Sequence, residues 1–259
     1  MDIVTQYWPV LLASALAGFV DSIGGGGGLL TVPALLNAGI PPALLLGTNK
    51  GMATFGSTAA LIRYARAGLL PRLSKKDWFL IFFGVVCVSA LGAFFSTLPV
   101  VVNNLRIFIP ILQIFVLVFL VHRWFFHTSQ IAIDNNPQAL RQPSTLTGIA
   151  LIGAYDGLFG PGTGTFFLSL LERAGFSTLH ANALTKVLNF ASNLGALILF
   201  VSFGKVIWPL SIAGAATYLF GNYCGAGLVL KKGQTAVRFV VIFSTVVMLL
   251  RSVYYYFFA

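Results

Sequence analysis

A polar, glycine-rich motif occurs twice in this chain, each time within apolar sequence. The first copy covers residues 18–29 and the second covers 153–164, an offset of 135 residues that becomes 136 after one inserted residue. The matched pairs are Gly18/Gly153, Asp21/Asp156, Gly25/Gly160, Gly27/Gly162, Gly39/Gly175 and Lys50/Lys186. Helix breakers and charges at matched positions in two apolar halves are typical of secondary transporters that are built from repeats.

The composition indicates an integral membrane protein. Only 8% of the 259 residues are charged and the mean hydropathy is +0.90, whereas soluble domains carry about 25% charged residues. Apolar runs over 78–99, 105–121 and 239–258 are long enough to span a bilayer. The net charge is +10, but the basic residues flank spans, as the positive-inside rule expects. No nucleic-acid partner is therefore expected. Cys87 and Cys224 fall within spans and are expected to be buried free thiols.

The apolar pattern predicts an all-α, polytopic membrane protein with five helical pieces in each half. We place them at 7–23, 29–39, 44–66, 77–98 and 105–124, and at 145–159, 163–174, 180–203, 207–230 and 236–257. The second piece of each half is too short to cross a bilayer alone, and it follows a glycine run that breaks the helix. Each half is therefore predicted to open with a broken, re-entrant helical hairpin that faces the protein interior.

The loop charges predict that the two halves have inverted topology. If each hairpin returns to its starting side, the basic loops all fall on the cytoplasmic side, and each half makes an odd number of crossings. We accordingly divide the chain into a first transmembrane repeat (1–125), a cytoplasmic linker (126–144) and a second transmembrane repeat (145–259). The linker is the one clearly hydrophilic stretch of the sequence.

Four charges are predicted to lie at membrane depth: Asp21, Lys50, Asp156 and Lys186. Each costs at least about 2.5–3.5 kcal/mol at the centre of a bilayer, so it must pair, face water or bind a ligand. One interpretation is structural, with each aspartate paired to a lysine so that helices are locked together. The other is functional: the lysines attract an anion near the midplane, and the carboxylates hold the helix breaks in place or carry a proton.

The glycine runs favour anion binding. Each run precedes a short helix, whose N-terminus offers unpaired N–H groups and about half a positive charge. Nearby polar side chains could add hydrogen bonds, although each could equally bond one helix to another. The predicted substrate-binding residues are Lys50, Lys186, Asn49, Thr185, Gly25, Gly27, Gly160, Gly162, Asn189 and Asn193, with Asp21 and Asp156 as coupling or structural charges.

The signatures of soluble enzymes are missing from the sequence. Neither glycine run is closed by the Gly-Lys-Ser/Thr of a P-loop or set in a βαβ unit. His122, His127 and His180 have no metal-ligand spacing. We therefore expect no catalytic residues, no metal and no cofactor, and a chain that is not an enzyme.

These motifs resemble those of the TauE/SafE family of bacterial sulfite exporters, also called the TSUP permeases. The resemblance rests on residues 18–29, 47–50 and 155–162 and extends over nearly the whole chain. It implies a multi-pass permease of the bacterial inner membrane that moves sulfite, sulfoacetate or a related sulfur-containing anion outward. The second copy carries Thr185 where the first carries Asn49, so the two half-sites are not chemically equivalent.

The leading hypothesis is a secondary transporter that works by alternating access around this basic, glycine-rich site, with a proton as the candidate coupling ion. An uncoupled anion channel and a non-transporting membrane assembly factor are the alternatives. The expected partners are a small anion and the lipid bilayer. A homodimer is compatible with the sequence, although no feature of the sequence demonstrates one.

Overall fold

The computed structural model describes residues 3–126, 137–232, 242–247, 249–250 and 254, and every regular element among them is a helix. The helices are α1 (Ile3–Gly24), α2 (Gly28–Asn37), α3 (Pro42–Gly56), α4 (Thr58–Arg66), α5 (Lys75–Ser96), α6 (Pro99–Phe126), α7 (Pro143–Leu158), α8 (Thr163–Arg173), α9 (Thr178–Ser202) and α10 (Trp208–Lys232). A short 3-10 helix, Pro137–Arg141, precedes α7, and residues 242–247 are also helical.

The predicted all-α, membrane-spanning architecture is confirmed. The described helical segments that are long and apolar enough to cross a bilayer are Gln6–Gly24, Lys75–Ser96, Pro99–Arg123 and Thr178–Ser202. Large apolar side chains such as Phe79 of α5 and Phe115 of α6 are exposed on the outer faces of these helices, as expected of surfaces that contact lipid. Cys87 and Cys224 are exposed as well, so the expectation that these thiols are buried is wrong.

Two helix boundaries differ from the prediction. The piece predicted at 44–66 consists of α3 and α4, which are separated at Ser57. Helix α6 begins at Pro99, earlier than predicted, because proline suits the first turn of a helix, where its missing N–H costs no hydrogen bond. Asn104, which the prediction placed before the helix, donates from its side chain to the carbonyl of Val100 at 2.8 Å within it.

One helix of each half packs mainly against helices of the other half, and we call these two, α5 and α10, the exchanged helices. Helix α10, from the second half, packs along α1 and α3 of the first, and α5, from the first half, packs along α7 and α9 of the second. A two-fold relation between the repeats would produce this reciprocal packing. The inverted orientation and the repeat boundaries remain predictions. Much of the predicted linker 126–144 and of the predicted helix 236–257 lies outside the described residues.

Glycines let the exchanged helices approach closely. A Cβ added at Gly18 of α1 would overlap a main-chain carbonyl of α10, and one added at Gly221 of α10 would overlap a carbonyl of α1. The contact between α5 and α7 has the same character at Gly92 and Gly157. Small residues at helix crossings are the usual means of close packing in a membrane. These contacts hold α1 and α7, which carry the two buried aspartates in their last turns, against the opposite half.

Candidate functional site

Both predicted helix breaks are present, and each depends on glycine. The chain between α1 and α2 holds Gly25 and Gly26 at φ values of 77° and 135°. The chain between α7 and α8 holds Gly160 and Gly162 at φ values of 92° and 80°. Residues with a Cβ rarely adopt these conformations, so the breaks occur where the glycine runs allow them.

The two breaks touch each other. The backbone of Gly25 lies directly against that of Gly164, so a Cβ on either residue would overlap the other. A Cβ added at Gly28 would lie 3.4 Å from the Cα of Pro161. The hydroxyl of Thr165 donates to the carbonyl of Gly25 at 3.2 Å. The glycine runs of the two halves therefore pack directly against each other, and we call this contact between the two breaks the joint.

A polar cavity of about 30 Å³ lies at this joint. The first residues of α2 and of α8 both contribute to its wall, so two helix N-termini with partial positive charge converge on it. The lining residues are Asp21, Gly26, Gly27, Gly28, Asn49, Lys50, Ala53, Asp156, Gly160, Thr163, Gly164, Asn189, Asn193 and Tyr218. A space of this size holds about one water molecule, so an oxyanion of several heavy atoms requires the cavity to widen.

The four buried charges form two ion pairs, and each pair joins one half to the other. Lys50 Nζ lies 2.9 Å from Asp156 Oδ2, and Lys186 Nζ lies 3.3 Å from Asp21 Oδ1. These are the pairs that the structural interpretation requires. They do not exclude anion binding, because a lysine held by a carboxylate can exchange that partner for a bound anion.

Lys186 caps the broken end of α1. Besides its contact with the carboxylate of Asp21, the Lys186 amine donates to the main-chain carbonyl of the same residue. The carbonyl of Ser22 accepts hydrogen bonds from the Tyr64 hydroxyl at 2.7 Å and from the Asn182 amide at 3.0 Å. Carbonyls at the end of a helix lose their partners within the helix. The Asp21 carbonyl still accepts from the main-chain N–H of Gly25 at 2.9 Å, so Lys186 adds a second donor there, while Tyr64 and Asn182 supply the donors for Ser22.

Asn222 of α10 fixes the same end of α1 from another side. Its amide nitrogen donates to the carbonyl of Gly18 at 3.1 Å and to Asp21 Oδ2 at 3.2 Å. Its amide oxygen accepts from the main-chain N–H of Ala60 at 2.7 Å. One buried side chain thereby connects α1, α4 and α10.

The polar contacts of the Lys50 amine are all with side chains. It donates to Asn193 Oδ1 at 2.9 Å and lies equally close to the Asp156 carboxylate. The contact with Asp156 is a close ion pair. The buried Oδ1 of Asn189, another residue of the cavity wall, has no hydrogen-bond donor. The Lys50 side of the site therefore contains an unsatisfied acceptor.

The formal charges of the site cancel. Two lysines balance two aspartates, and the N-termini of α2 and α8 each add about half a positive charge. The C-termini of α1 and α7 at the same breaks offset that charge, so it is the main-chain N–H groups of α2 and α8 and the Lys50 amine, pointing at one cavity, that favour a small anion there.

Some of the predicted site residues line the cavity and others do not. The predicted substrate-binding residues that line it are Asn49, Lys50, Gly27, Gly160, Asn189 and Asn193, together with the two aspartates Asp21 and Asp156. The predicted residues outside its wall are Gly25, Gly162, Thr185 and Lys186. Gly25 packs in the joint, Gly162 lies against Val116 of α6, and the buried hydroxyl of Thr185 has no hydrogen-bond partner.

The prediction missed several residues near the cavity, among them Thr163, Tyr218 and Thr31. Tyr218 lines the wall and is buried. Its position within an apolar helix was a usable signal, because tyrosines in membrane proteins concentrate at the interfaces. Thr31 donates to Asn49 Oδ1 at 2.5 Å and so fixes the orientation of that amide. No sequence signal separates Thr31 from an ordinary buried threonine.

Comparisons with known proteins cover nearly the whole chain. The family described as "Sulfite exporter TauE/SafE" matches residues 10–252. The chain is 36% identical to "Probable membrane transporter protein ORF9" of Sinorhizobium sp, over 93% of this chain and 90% of that protein. It is 35% identical to a "Probable membrane transporter protein" of Haemophilus influenzae, over 98% and 97% of the two chains. It is 34% identical to "Probable membrane transporter protein YfcA" of Escherichia coli, over 95% and 88%. No solved structure matches the chain.

Proposed function

The chain belongs to the TauE/SafE sulfite exporter family of membrane transporters, and from that premise we propose that it exports a small sulfur-containing anion across the bacterial inner membrane. The proposed substrate is sulfite or a sulfonate such as sulfoacetate, carried by alternating access. One observation supports this proposal above the others: two helix N-termini, one from each half, meet the Lys50 amine at a single buried polar cavity.

The groups around the cavity suit an anion with several oxygen atoms. Lys50 supplies a full positive charge, and the first turns of α2 and α8 supply main-chain N–H donors. The amides of Asn49 and Asn193 lie in the same wall and add neutral hydrogen-bonding groups. Because the cavity is too small for such an anion in this conformation, binding requires the two halves to separate around it. Movement of one repeat against the other is also the step by which repeat-built transporters alternate access.

In this proposal a proton is the coupling ion, because two carboxylates, Asp21 and Asp156, line the cavity. A monovalent anion that enters together with one proton leaves the net charge of the buried site unchanged, and for a dianion one proton halves the added charge. The energetic cost of moving an unbalanced charge through the membrane interior is then avoided or reduced.

Flux through purified protein in liposomes tests the proposal. We expect saturable movement of sulfite or sulfoacetate that changes when a pH gradient is imposed. Lys50→Gln should abolish this flux, whereas Lys232→Gln, the same change at an exposed lysine at the end of α10, should leave it intact.

Two other results would contradict the proposal. Flux that neither saturates nor responds to a pH gradient would indicate an uncoupled channel. If no anion moves and the protein copurifies with a fixed partner, the alternative of a membrane assembly factor is correct instead.

A further inference from the structure

The two ion pairs match in the sequence but differ in their surroundings, and we propose that they have different functions. Lys50–Asp156 opens to bind the anion, and Asp156 takes up a proton as it loses its partner. Lys186–Asp21 stays closed and permanently caps the broken end of α1. This inference rests on the proposed transport function and assigns roles within the same site.

The contacts of Lys186 are those of a fixed residue. Its side chain is fully buried and does not line the cavity. It donates to the main-chain carbonyl of Asp21 and forms an ion pair with the carboxylate of the same residue at 3.3 Å. That carbonyl also accepts from the main-chain N–H of Gly25 at 2.9 Å, so Lys186 is its second donor. A main-chain carbonyl cannot rotate away as a side chain can, and an anion that attracted Lys186 would leave the Asp21 carboxylate buried without its positive partner.

The two breaks are supported by different side chains. At the second break the Tyr155 hydroxyl donates to the carbonyl of Pro161 at 2.7 Å and the Thr163 hydroxyl to that of Gly160 at 2.8 Å, and both donors belong to the break's own segment.

At the first break the donors come from other helices. Tyr64 and Asn182 donate to the carbonyl of Ser22 at the end of α1. At the 136-residue offset, the positions that correspond to Tyr64 and Asn182 carry Phe200 and Leu46, which have no side-chain donors. The end of α1 is thus tied to α4 and α9, whereas the second break is held by side chains of α7 and α8 themselves.

Lys50 is placed to exchange partners. Its amine lies at the cavity and is shared between two side chains, Asp156 and Asn193. Side-chain rotation can release it from both without uncovering a main-chain group. The unsatisfied Oδ1 of Asn189 in the same wall offers an acceptor for a donor that moves.

We expect Asp156 to bind a proton because of the surroundings it has once the Lys50 amine has moved to the anion. Asp156 would then lie buried beside a negative ligand and near Asp21, which lines the same cavity. The other titratable groups around it are Tyr218, in the cavity wall, and Tyr155, its neighbour in α7. A buried carboxylate without a positive partner is costly, and binding a proton removes that cost.

Calorimetric titration with sulfoacetate near neutral pH measures this proton directly. Sulfoacetate is fully ionised there, so any proton taken up is bound by the protein. Titrations in two buffers with different heats of ionisation give the number of protons bound with each anion. We expect about one proton per anion for the wild type. Asp156→Asn should bind the anion with no proton uptake.

Lys232→Gln is the matched control. This exposed lysine lies at the end of α10, outside the site, so the variant should fold and should take up a proton as the wild type does. Lys186→Gln should lower the unfolding temperature or prevent accumulation of folded protein, because the buried carboxylate of Asp21 loses its positive partner. The division of roles is wrong if Asp156→Asn keeps the wild-type proton uptake, or if Lys186→Gln folds normally and loses only anion binding. If the wild type binds no anion, the proposed function fails, and this inference fails with it.

Discussion

Substitution of the glycines at the joint gives a prediction whose size can be worked out from the contacts. An added Cβ meets two obstacles at Gly25: the φ of 77°, and the backbone of Gly164. The two can be separated with single alanine substitutions. Gly39 has a φ of 76° and nothing within 4 Å of an added Cβ, so Gly39→Ala measures the conformational cost alone. Gly164 lies in the first turn of α8 without a positive φ, so Gly164→Ala measures the backbone contact alone.

The expected losses follow from these geometries. A left-handed conformation costs a residue with a Cβ about 1–2 kcal/mol, which is the loss in free energy of unfolding expected for Gly39→Ala. Overpacking costs about 1–3 kcal/mol, and at Gly164 the obstructing atoms are main chain, which places the loss at the upper end. Helix propensity alone would favour alanine at Gly164 by about 1 kcal/mol, so even the sign of its effect is informative. Gly25→Ala should combine both losses and destabilise most.

Thermal unfolding in detergent, followed by tryptophan fluorescence, can rank the three variants. For a chain of this length each 1 kcal/mol shifts the unfolding temperature by about 2–4 °C. The order predicted is Gly25→Ala below Gly164→Ala and Gly39→Ala, with all three below the wild type. A neutral or stabilising Gly164→Ala, or a loss at Gly25 no larger than that at Gly39, would show that the two breaks do not touch as described.

Two further predictions concern the exchanged helices. Gly221→Leu should greatly reduce the amount of folded protein, because the leucine side chain would overlap the backbone of α1. Gly84→Leu is the control and should accumulate normally, because nothing lies within 4 Å of an added Cβ there. Fluorescence-detected size-exclusion chromatography measures both yields, and equal yields would contradict the close crossing of α1 and α10. Asn222→Leu should lower the free energy of unfolding by about 2–4 kcal/mol, because it removes a buried side chain with three hydrogen bonds and leaves their partners unsatisfied. If the unfolding temperature of this variant stayed within about 2–3 °C of the wild type, other groups would have replaced these hydrogen bonds.

Local chemistry explains which parts of the fold and site could be read from the sequence. The helix breaks were predictable because a glycine run both weakens a helix and permits positive φ. The burial of Lys50 and Lys186 was predictable because each lies in an apolar span of a chain with few charges. The start of α6 at Pro99 was missed because the predicted helix began only at residue 105, although proline at the first helical position is common.

The differences between the half-sites depend on tertiary structure and could not be predicted. Which aspartate each lysine contacts is set by how the two halves dock, and periodicity within one helix carries no information about that. The carbonyl cap that Lys186 provides follows from the direction of its side chain after docking. Sequence patterns could therefore place both lysines at membrane depth, but they could not assign only Lys50 to the cavity wall.

Anion-dependent thermal stability of the purified protein tests the central claim most directly. A ligand that binds only the folded state raises its unfolding temperature by mass action. The account predicts that sulfite or sulfoacetate stabilises the wild type and Lys232→Gln and has no effect on Lys50→Gln, although all three are folded. If Lys50→Gln is stabilised as much as the wild type, or if no anion stabilises the wild type at any concentration, the cavity at Lys50 is not a substrate site.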